Sequence, residues 1–272
     1  MMSSAVAKDA KIHPTTLLWS ASSVSRDDSS RNEDSLTVRS RDNQTLLIVA
    51  DGLGGHNAGE VASRMVVRGL SFAYFDKQGI DVVDKMTDAV MATNLAVHEA
   101  GLSQKKYQGM CSTVVACLVI NQYAVFMHIG DSRGYLFRHG SCIHRTPDHR
   151  LTKITQVLQT KQTRTKPVHL LTQALGARDS VMPDLSIHRI EPGDIIVLCS
   201  DGLSDVVTDE EIAQKVFLYP PSGVAEALLE TALIKGSDDD VSVIVAAIDQ
   251  VSESKSLNVR LSSLDKYYIE AS

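Results

Sequence analysis

The sequence predicts an α+β fold, with antiparallel sheets sandwiched by helices. Three observations carry this. Several short apolar runs lack polar alternation, as strands buried on both faces do. Two long segments of helical periodicity follow one another. Strands and helices then mix without the regular alternation of a doubly wound sheet.

The elements follow in order. Residues 1–14 are small and polar and are expected to be disordered. Leu46 to Ala50 is a continuous apolar run that stops at Asp51-Gly52. From about Ala58 to Tyr74, Val61, Ala62, Met65, Val66 and Gly69 recur at helical spacing. Val82, Met86, Ala89, Val90, Thr93 and Val97 repeat the pattern, with Gly101 as the expected stop. Val114 to Ile120 is a strand-sized apolar run. Tyr123 to Ile129 ends in Gly130-Asp131-Ser132-Arg133-Gly134 and resumes at Tyr135-Leu136-Phe137, which reads as a hairpin. Ile195 to Cys199 ends in Ser200-Asp201-Gly202. Thr208 and Glu211 form a capping box that opens a short helix. Ser222 is expected to cap another, with Ala225, Leu228, Leu229, Ala232 and Leu233 on one face and Gly236 closing it. Val241 to Ile248 begins just after Asp238-Asp239-Asp240, and a polar tail follows from Gln250. Between His149 and Arg178 there is no acidic residue, which suggests a basic surface segment.

Composition narrows the function. The chain has 272 residues, with 27 basic and 33 acidic side chains and a net charge of −6. That charge repels phosphate backbones, so nucleic acid is not an expected partner. The four cysteines, Cys111, Cys117, Cys142 and Cys199, include no C-x-x-C pair and point to free thiols in a reducing compartment. No apolar run reaches signal-peptide or membrane-span length, so a cytoplasmic protein without a membrane partner is expected, as a monomer.

The chemistry collects at strand ends. Asp51, Asp201, Asp239 and Asp131 all occupy such ends or turns. Any one of them could be a simple turn former. Several carboxylates in one place repel unless cations sit among them. Oxygen-only ligands select hard ions such as Mg²⁺ or Mn²⁺. Spacing alone leaves a metal site and scattered turns both open. Two competing motifs are absent: the Asp51-Gly-Leu-Gly-Gly-His56 cluster lacks the Gly-Lys-Ser/Thr of a P-loop, and no zinc-helix histidine pair occurs.

Seven motifs in order resemble the bacterial type 2C family of metal-dependent serine/threonine protein phosphatases. They are Arg31-Asn-Glu-Asp34, Ala50-Asp-Gly-Leu-Gly-Gly-His-Asn-Ala-Gly-Glu60, Ser112-Thr113, His128-Ile-Gly-Asp-Ser-Arg133, Leu171-Thr-Gln-Ala-Leu-Gly176, Leu198-Cys-Ser-Asp-Gly-Leu203 and Asp239-Asp-Val-Ser242. The resemblance spans residues 15–249 as one domain and implies a central β-sandwich flanked by helices on both sides. It also implies a short flap at about 148–170, near a centre holding two Mn²⁺ or Mg²⁺ ions. By that resemblance Asp51 bridges two metals and the Gly52 carbonyl binds one. Asp201 and Asp239 complete the first, and Glu33 serves the second. Asp34 orients water, and Asp131 with Asp201 makes a third, weaker metal site. The implied substrates are phosphorylated proteins, and the implied counterpart is a serine/threonine kinase.

The sequence departs from the family in places. Ser29 stands where the family has its phosphate-holding Arg, and Arg31 or Arg26 is the expected substitute. Arg31 has the right parity if this segment is an extended strand. His56 matches a loop position rather than a general acid. Asp240 replaces the usual Asn beside Asp239. The flap looks a few residues short, and its Lys161, Arg164 and Lys166 would attract acidic or phosphorylated substrates. Ser29 and the short flap support one alternative, a catalytically weak phosphoprotein-binding module of the same fold. A hydrolase of small phosphoesters is another.

Overall fold

The computed structural model describes residues 14–26, 31–54, 58–77, 81–159 and 162–252, with the backbone alone for 152–159 and 162–169. A five-stranded sheet contains β1 (Thr16–Val24), β13 (Val241–Gln250), β12 (Ile195–Cys199), β7 (Arg133–Arg138) and β8 (Ser141–Arg145), in that spatial order. A six-stranded sheet runs β11 (Asp184–Arg189), β6 (Tyr123–Ile129), β5 (Val114–Ile120), β3 (Gln44–Leu53) and β2 (Asp34–Arg41), with β4 (Cys111–Ser112) added at the end of β3. Every pairing in both sheets is antiparallel. The helices α1 (Ala58–Asp76) and α2 (Val82–Ser103) cover the six-stranded sheet. On the other side α3 (Asp201–Ser204), α4 (Asp209–Leu218) and α5 (Pro221–Ile234) cover the five-stranded one.

The apolar runs explain the layering. On β3, Leu46, Ile48 and Ala50 face the α1/α2 layer, while Leu47 and Val49 face the opposite sheet. On β5, Val114, Ala116 and Leu118 divide from Val115, Cys117 and Val119 in the same way. β13 follows suit, with Val243 and Val245 under the helices and Ile244 and Ala246 between the sheets. Successive side chains point to opposite faces, so a strand buried on both must be apolar at every position. The four layers, helix, sheet, sheet, helix, match the predicted architecture.

The strand built on Leu46 to Ala50 outlasts its apolar run, because β4 pairs with Gly52 and Leu53 and carries β3 on. Three local expectations are corrected. Tyr123–Ile129 and Arg133–Arg138 do not form a hairpin, since β6 is paired on both edges by β5 and β11 and β7 by β12 and β8. The chain instead crosses from one sheet to the other at Gly130, whose φ of 106° brings it against Thr113; a Cβ there would lie 2.7 Å from Thr113 Cγ2. Gly101 does not stop α2, which continues to Ser103; the glycine lets Tyr107 and Met110 pack against the helix. Ser222 does not cap α5, which starts with Pro221 after Pro220, because a first-turn proline loses no helical hydrogen bond. The Thr208/Glu211 capping box and the stop at Gly236, with φ of 79°, form as predicted.

The acid-free segment forms an antiparallel ribbon of β9 (Arg150–Gln159) and β10 (Gln162–Leu171), separate from both sheets. Its root is fixed by His149 N–H to the Gly130 carbonyl at 2.9 Å and Thr172 N–H to the His149 carbonyl at 2.8 Å. Among the described residues, no helix is long and apolar enough to cross a membrane.

Candidate metal centre

The acidic residues converge where the two sheets meet at one end. Asp34 opens β2 and lies opposite Asp51 in the β2–β3 register. Asp201 follows β12 at the first position of α3, Asp239 precedes β13, and Asp131 occupies the crossing between β6 and β7. The six-stranded sheet thus supplies one pair of carboxylates and the five-stranded sheet faces it with another.

Asp51 is held by its backbone. Its N–H donates to Thr113 Oγ1 at 2.9 Å, and its carbonyl accepts from Thr113 N–H and Ser112 Oγ at 2.8 and 2.9 Å. Enclosure by protein, then the charges of Asp34, Asp201, Asp239 and Asp131, raise its carboxyl well above the usual range. Burial and then Asp131, Asp239, Asp205 and Asp34 raise Asp201 in the same way. Burial pushes Asp34 up to about 7, although Ser200 donates to its Oδ2 at 2.7 Å. Asp131 and Asp239 are also raised, each first by burial. Mutual repulsion of this kind identifies groups whose charges share one space.

Glu33 approaches from the loop before β2. Its carbonyl accepts the Gly52 N–H at 3.0 Å, and its carboxylate lies against Gly59 in the first turn of α1. A Cβ on Gly52 would lie 1.9 Å from the Gly59 carbonyl oxygen, so only glycine brings these segments together. The helix N-terminus favours the carboxylate there, whereas burial raises its pKa and Arg26 lowers it.

The donor set fits hard divalent cations on this structure's own terms. Asp34 Oδ1 and Asp201 Oδ1 are buried and accept no hydrogen bond. Buried acceptors without a donor are costly and call for one, and a cation satisfies that need while offsetting the crowded negative charge. All side chains are oxygen donors, which suits Mg²⁺ or Mn²⁺.

The two candidate arginines differ in their setting. Arg31 is exposed and precedes β2, whose first residue is Asp34, so the strand parity that recommended it has no strand beneath it. Arg26 instead reaches the centre, with Nη1 3.8 Å from Asp239 Oδ1. Ser29, His56 and Lys161 lie outside the described residues, as do the side chains of Arg164 and Lys166. Asp240 does not face solvent: its carboxylate accepts the N–H of Arg26 at 2.8 Å and of Glu33 at 2.6 Å. It staples both ends of the β1–β2 connection beside the site.

Sequence reasoning missed the hydroxyls that position the carboxylates. Ser200 Oγ bridges the Ser242 N–H and Asp34, and Thr113 Oγ1 contacts Ser132 Oγ at 2.7 Å. Small polar residues next to an Asp carry no periodic signal. A second acid–base cluster, His128, His149 and Asp184, lies within 4.8 Å. It is better read as a hydrogen-bonded set. His149 Nδ1 accepts from Gly130 N–H, which leaves Nε2 protonated toward Asp184, and His128 Nε2 bonds the Pro147 carbonyl.

Comparison with known proteins settles the family. The protein phosphatase 2C model matches residues 23–231. The chain belongs to the protein phosphatase 2C family. It is 36% identical over 223 residues to the serine/threonine protein phosphatase PstP of Mycobacterium tuberculosis, covering 80% of this chain and 42% of that protein. The chain therefore spans less than half of that relative's length. It is 32% identical to the protein phosphatase PhpP of Streptococcus pneumoniae, covering 77% of this chain and 88% of PhpP. A crystal structure of the M. tuberculosis phosphatase superposes with a TM-score of 0.72 at 33% identity, covering 86% of this chain and 99% of that one. The PstP catalytic domain in complex with two manganese ions superposes at 0.71 with 32% identity, covering 87% and 100%. The family fold accounts for the two antiparallel sheets and their helices.

Proposed function

We propose that this protein is a metal-dependent phosphatase of phosphoserine and phosphothreonine in proteins, opposing a serine/threonine kinase. One observation carries the reading: at least five carboxylates with raised pKa meet at a sheet junction where two buried oxygens lack any donor. A phosphoprotein-binding module has no need of such a cluster.

Asp51, Asp201, Asp239 and Glu33, with the Gly52 carbonyl, would hold two Mn²⁺ or Mg²⁺ ions. Such ions, when bound, acidify water for attack on phosphorus and offset the charge that builds on the phosphoryl oxygens. Asp34 turns its unpartnered Oδ1 inward while Ser200 fixes Oδ2, so the carboxylate is oriented to accept a proton from a reacting water. Burial pushes this carboxyl up in the metal-free centre, and bound cations would lower it again and keep it the ionised acceptor. Arg26, beside Asp239, is placed to help hold a substrate phosphate, the role for which the sequence offers Arg31 or Arg26. Asp240 keeps Arg26 and Glu33 in place through their backbone N–H groups. The same reading places the protein in the cytoplasm as a monomer acting in phosphorylation signalling. The four free cysteines support a reducing compartment.

The test is phosphate release from a phosphothreonine peptide with and without Mn²⁺, comparing the native chain with Asp201→Ala. Metal-dependent turnover lost in the variant is expected. A native chain inactive at millimolar Mn²⁺ would overturn the assignment in favour of the binding module.

A further inference from the structure

We propose that Arg150 is a built-in counter-ion for Asp131, so that a guanidinium, and not a third divalent cation, neutralises this corner of the centre. The inference rests on the metal-centre reading above and departs from the third site that the family resemblance implies.

Asp131 is only 4% exposed, in the crossing between the sheets. Arg150 Nη1 stands 3.9 Å from Asp131 Oδ2 and 2.6 Å from Asp205 Oδ1, while its Nε lies 3.0 Å from Asp148 Oδ2. Three carboxylates therefore fix one guanidinium that is itself 14% exposed. The arrangement is braced from behind. Arg133 forks onto Asp148 with two bonds of 2.8 Å, which fixes the carboxylate that Arg150 also meets. Asp205 is anchored too: its N–H bonds the Asp201 carbonyl at 2.8 Å, so the short helix that opens with Asp201 also presents Asp205 to Arg150.

A divalent cation shared by Asp131 and Asp201 would need Asp131 oxygens at about 2.0–2.6 Å. The guanidinium already neighbours that carboxylate, carries like charge and cannot be deprotonated in a protein. Guanidinium and cation repel across the same carboxylate, and the bonds to Asp148 and Asp205 hold Arg150 where that repulsion is felt. Arg150 is also the first residue of β9, so the same contact ties the root of the ribbon to the edge of the centre.

The experiment counts bound Mn²⁺ by electron paramagnetic resonance during titration of chelator-treated protein with MnCl₂. Two ions are expected for the native chain and still two for Asp131→Asn. Arg150→Gln should bind a third, at least tenfold more weakly, and lose it again when combined with Asp131→Asn. Arg150→Met repeats the test if thermal melting shows the Gln variant unfolded. A native third ion that disappears in Asp131→Asn would overturn the proposal, as would neutral Arg150 variants that bind only two. A native chain that binds no Mn²⁺ at all overturns the metal-centre reading instead, so the two failures are told apart by the count.

Discussion

Removing one charge from the centre should make the metal-free protein more stable while abolishing its chemistry. The perturbation is Asp34→Asn, which keeps an acceptor for the Ser200 hydroxyl and places a neutral amide where Oδ1 has no partner. Asp34 has its carboxyl raised from 3.8 to about 7, so the folded state binds a proton that the unfolded state has released. Stability from this group is present below pH 3.8 and is lost as pH rises toward 7. At about 1.4 kcal/mol per pH unit the full loss is about 4 kcal/mol by pH 7.5. Relief of Asp51 adds to the gain, and altered packing around the amide subtracts, leaving about 2–4 kcal/mol. For a domain of this size that corresponds to a rise in Tm of about 5–10 °C. The assay is thermal melting of native and variant protein in a chelator at pH 7.5 and pH 5, with phosphatase activity measured in Mn²⁺. The gain should fall by more than half at the lower pH, and added Mn²⁺ should favour the native chain. A variant less stable than native in chelator, or a gain equal at both pH values, would refute the charge-crowding argument.

Three further outcomes follow from other parts of the molecule. Burial lowers His128 and His188 to about 4 and His144 to about 3, so stability held above pH 6.5 should be lost as pH falls toward 4. The slope should approach about 4 kcal/mol per pH unit in urea unfolding of the metal-loaded protein, and His188→Asn should flatten it. Gly52→Ala places a Cβ 1.9 Å from the Gly59 carbonyl, and the first turn of α1 cannot yield without moving Glu33. A loss of about 1–3 kcal/mol in denaturant titration is expected, with Mn²⁺ affinity lowered at least tenfold. Thr208→Ala removes the capping box of α4 and should cost about 1 kcal/mol in the same assay, leaving turnover in Mn²⁺ unchanged.

The parts legible in the sequence were those written as periodicity or as a chemical grouping. Leu46 to Ala50 and Val241 to Ile248 read as doubly buried strands because every position of the first, and all but Ser242 of the second, is apolar. Asp51, Asp201 and Asp239 could be picked out because each ends such a run. Pairing partners were not legible: β6 and β7 are neighbours in sequence yet lie in different sheets, since hydrogen-bond edges are allocated by the whole fold. β8 and β11 lie at sheet edges and carry mixed residues, so no run marks them. Arg31 was favoured through an assumed strand, and Arg150 looked like one of several basic residues in a surface segment. Of its three carboxylate partners only Asp148 is near it in the chain, while Asp131 and Asp205 are brought to it by the fold.

The division of the acidic cluster between two sheets has a consequence for assembly. Asp34 and Asp51 belong to one layer, Asp201 and Asp239 to the other, and neither layer alone can surround an ion. With the proposed ligands, cation affinity would be a property of the docked sandwich, and each bound ion would act as a clasp across the seam. Ligand binding to the native state alone adds to stability by mass action, so divalent ions should slow the separation of the layers. Amide exchange at the Asp-bearing strand ends would register that clasp before any loss of the helices does.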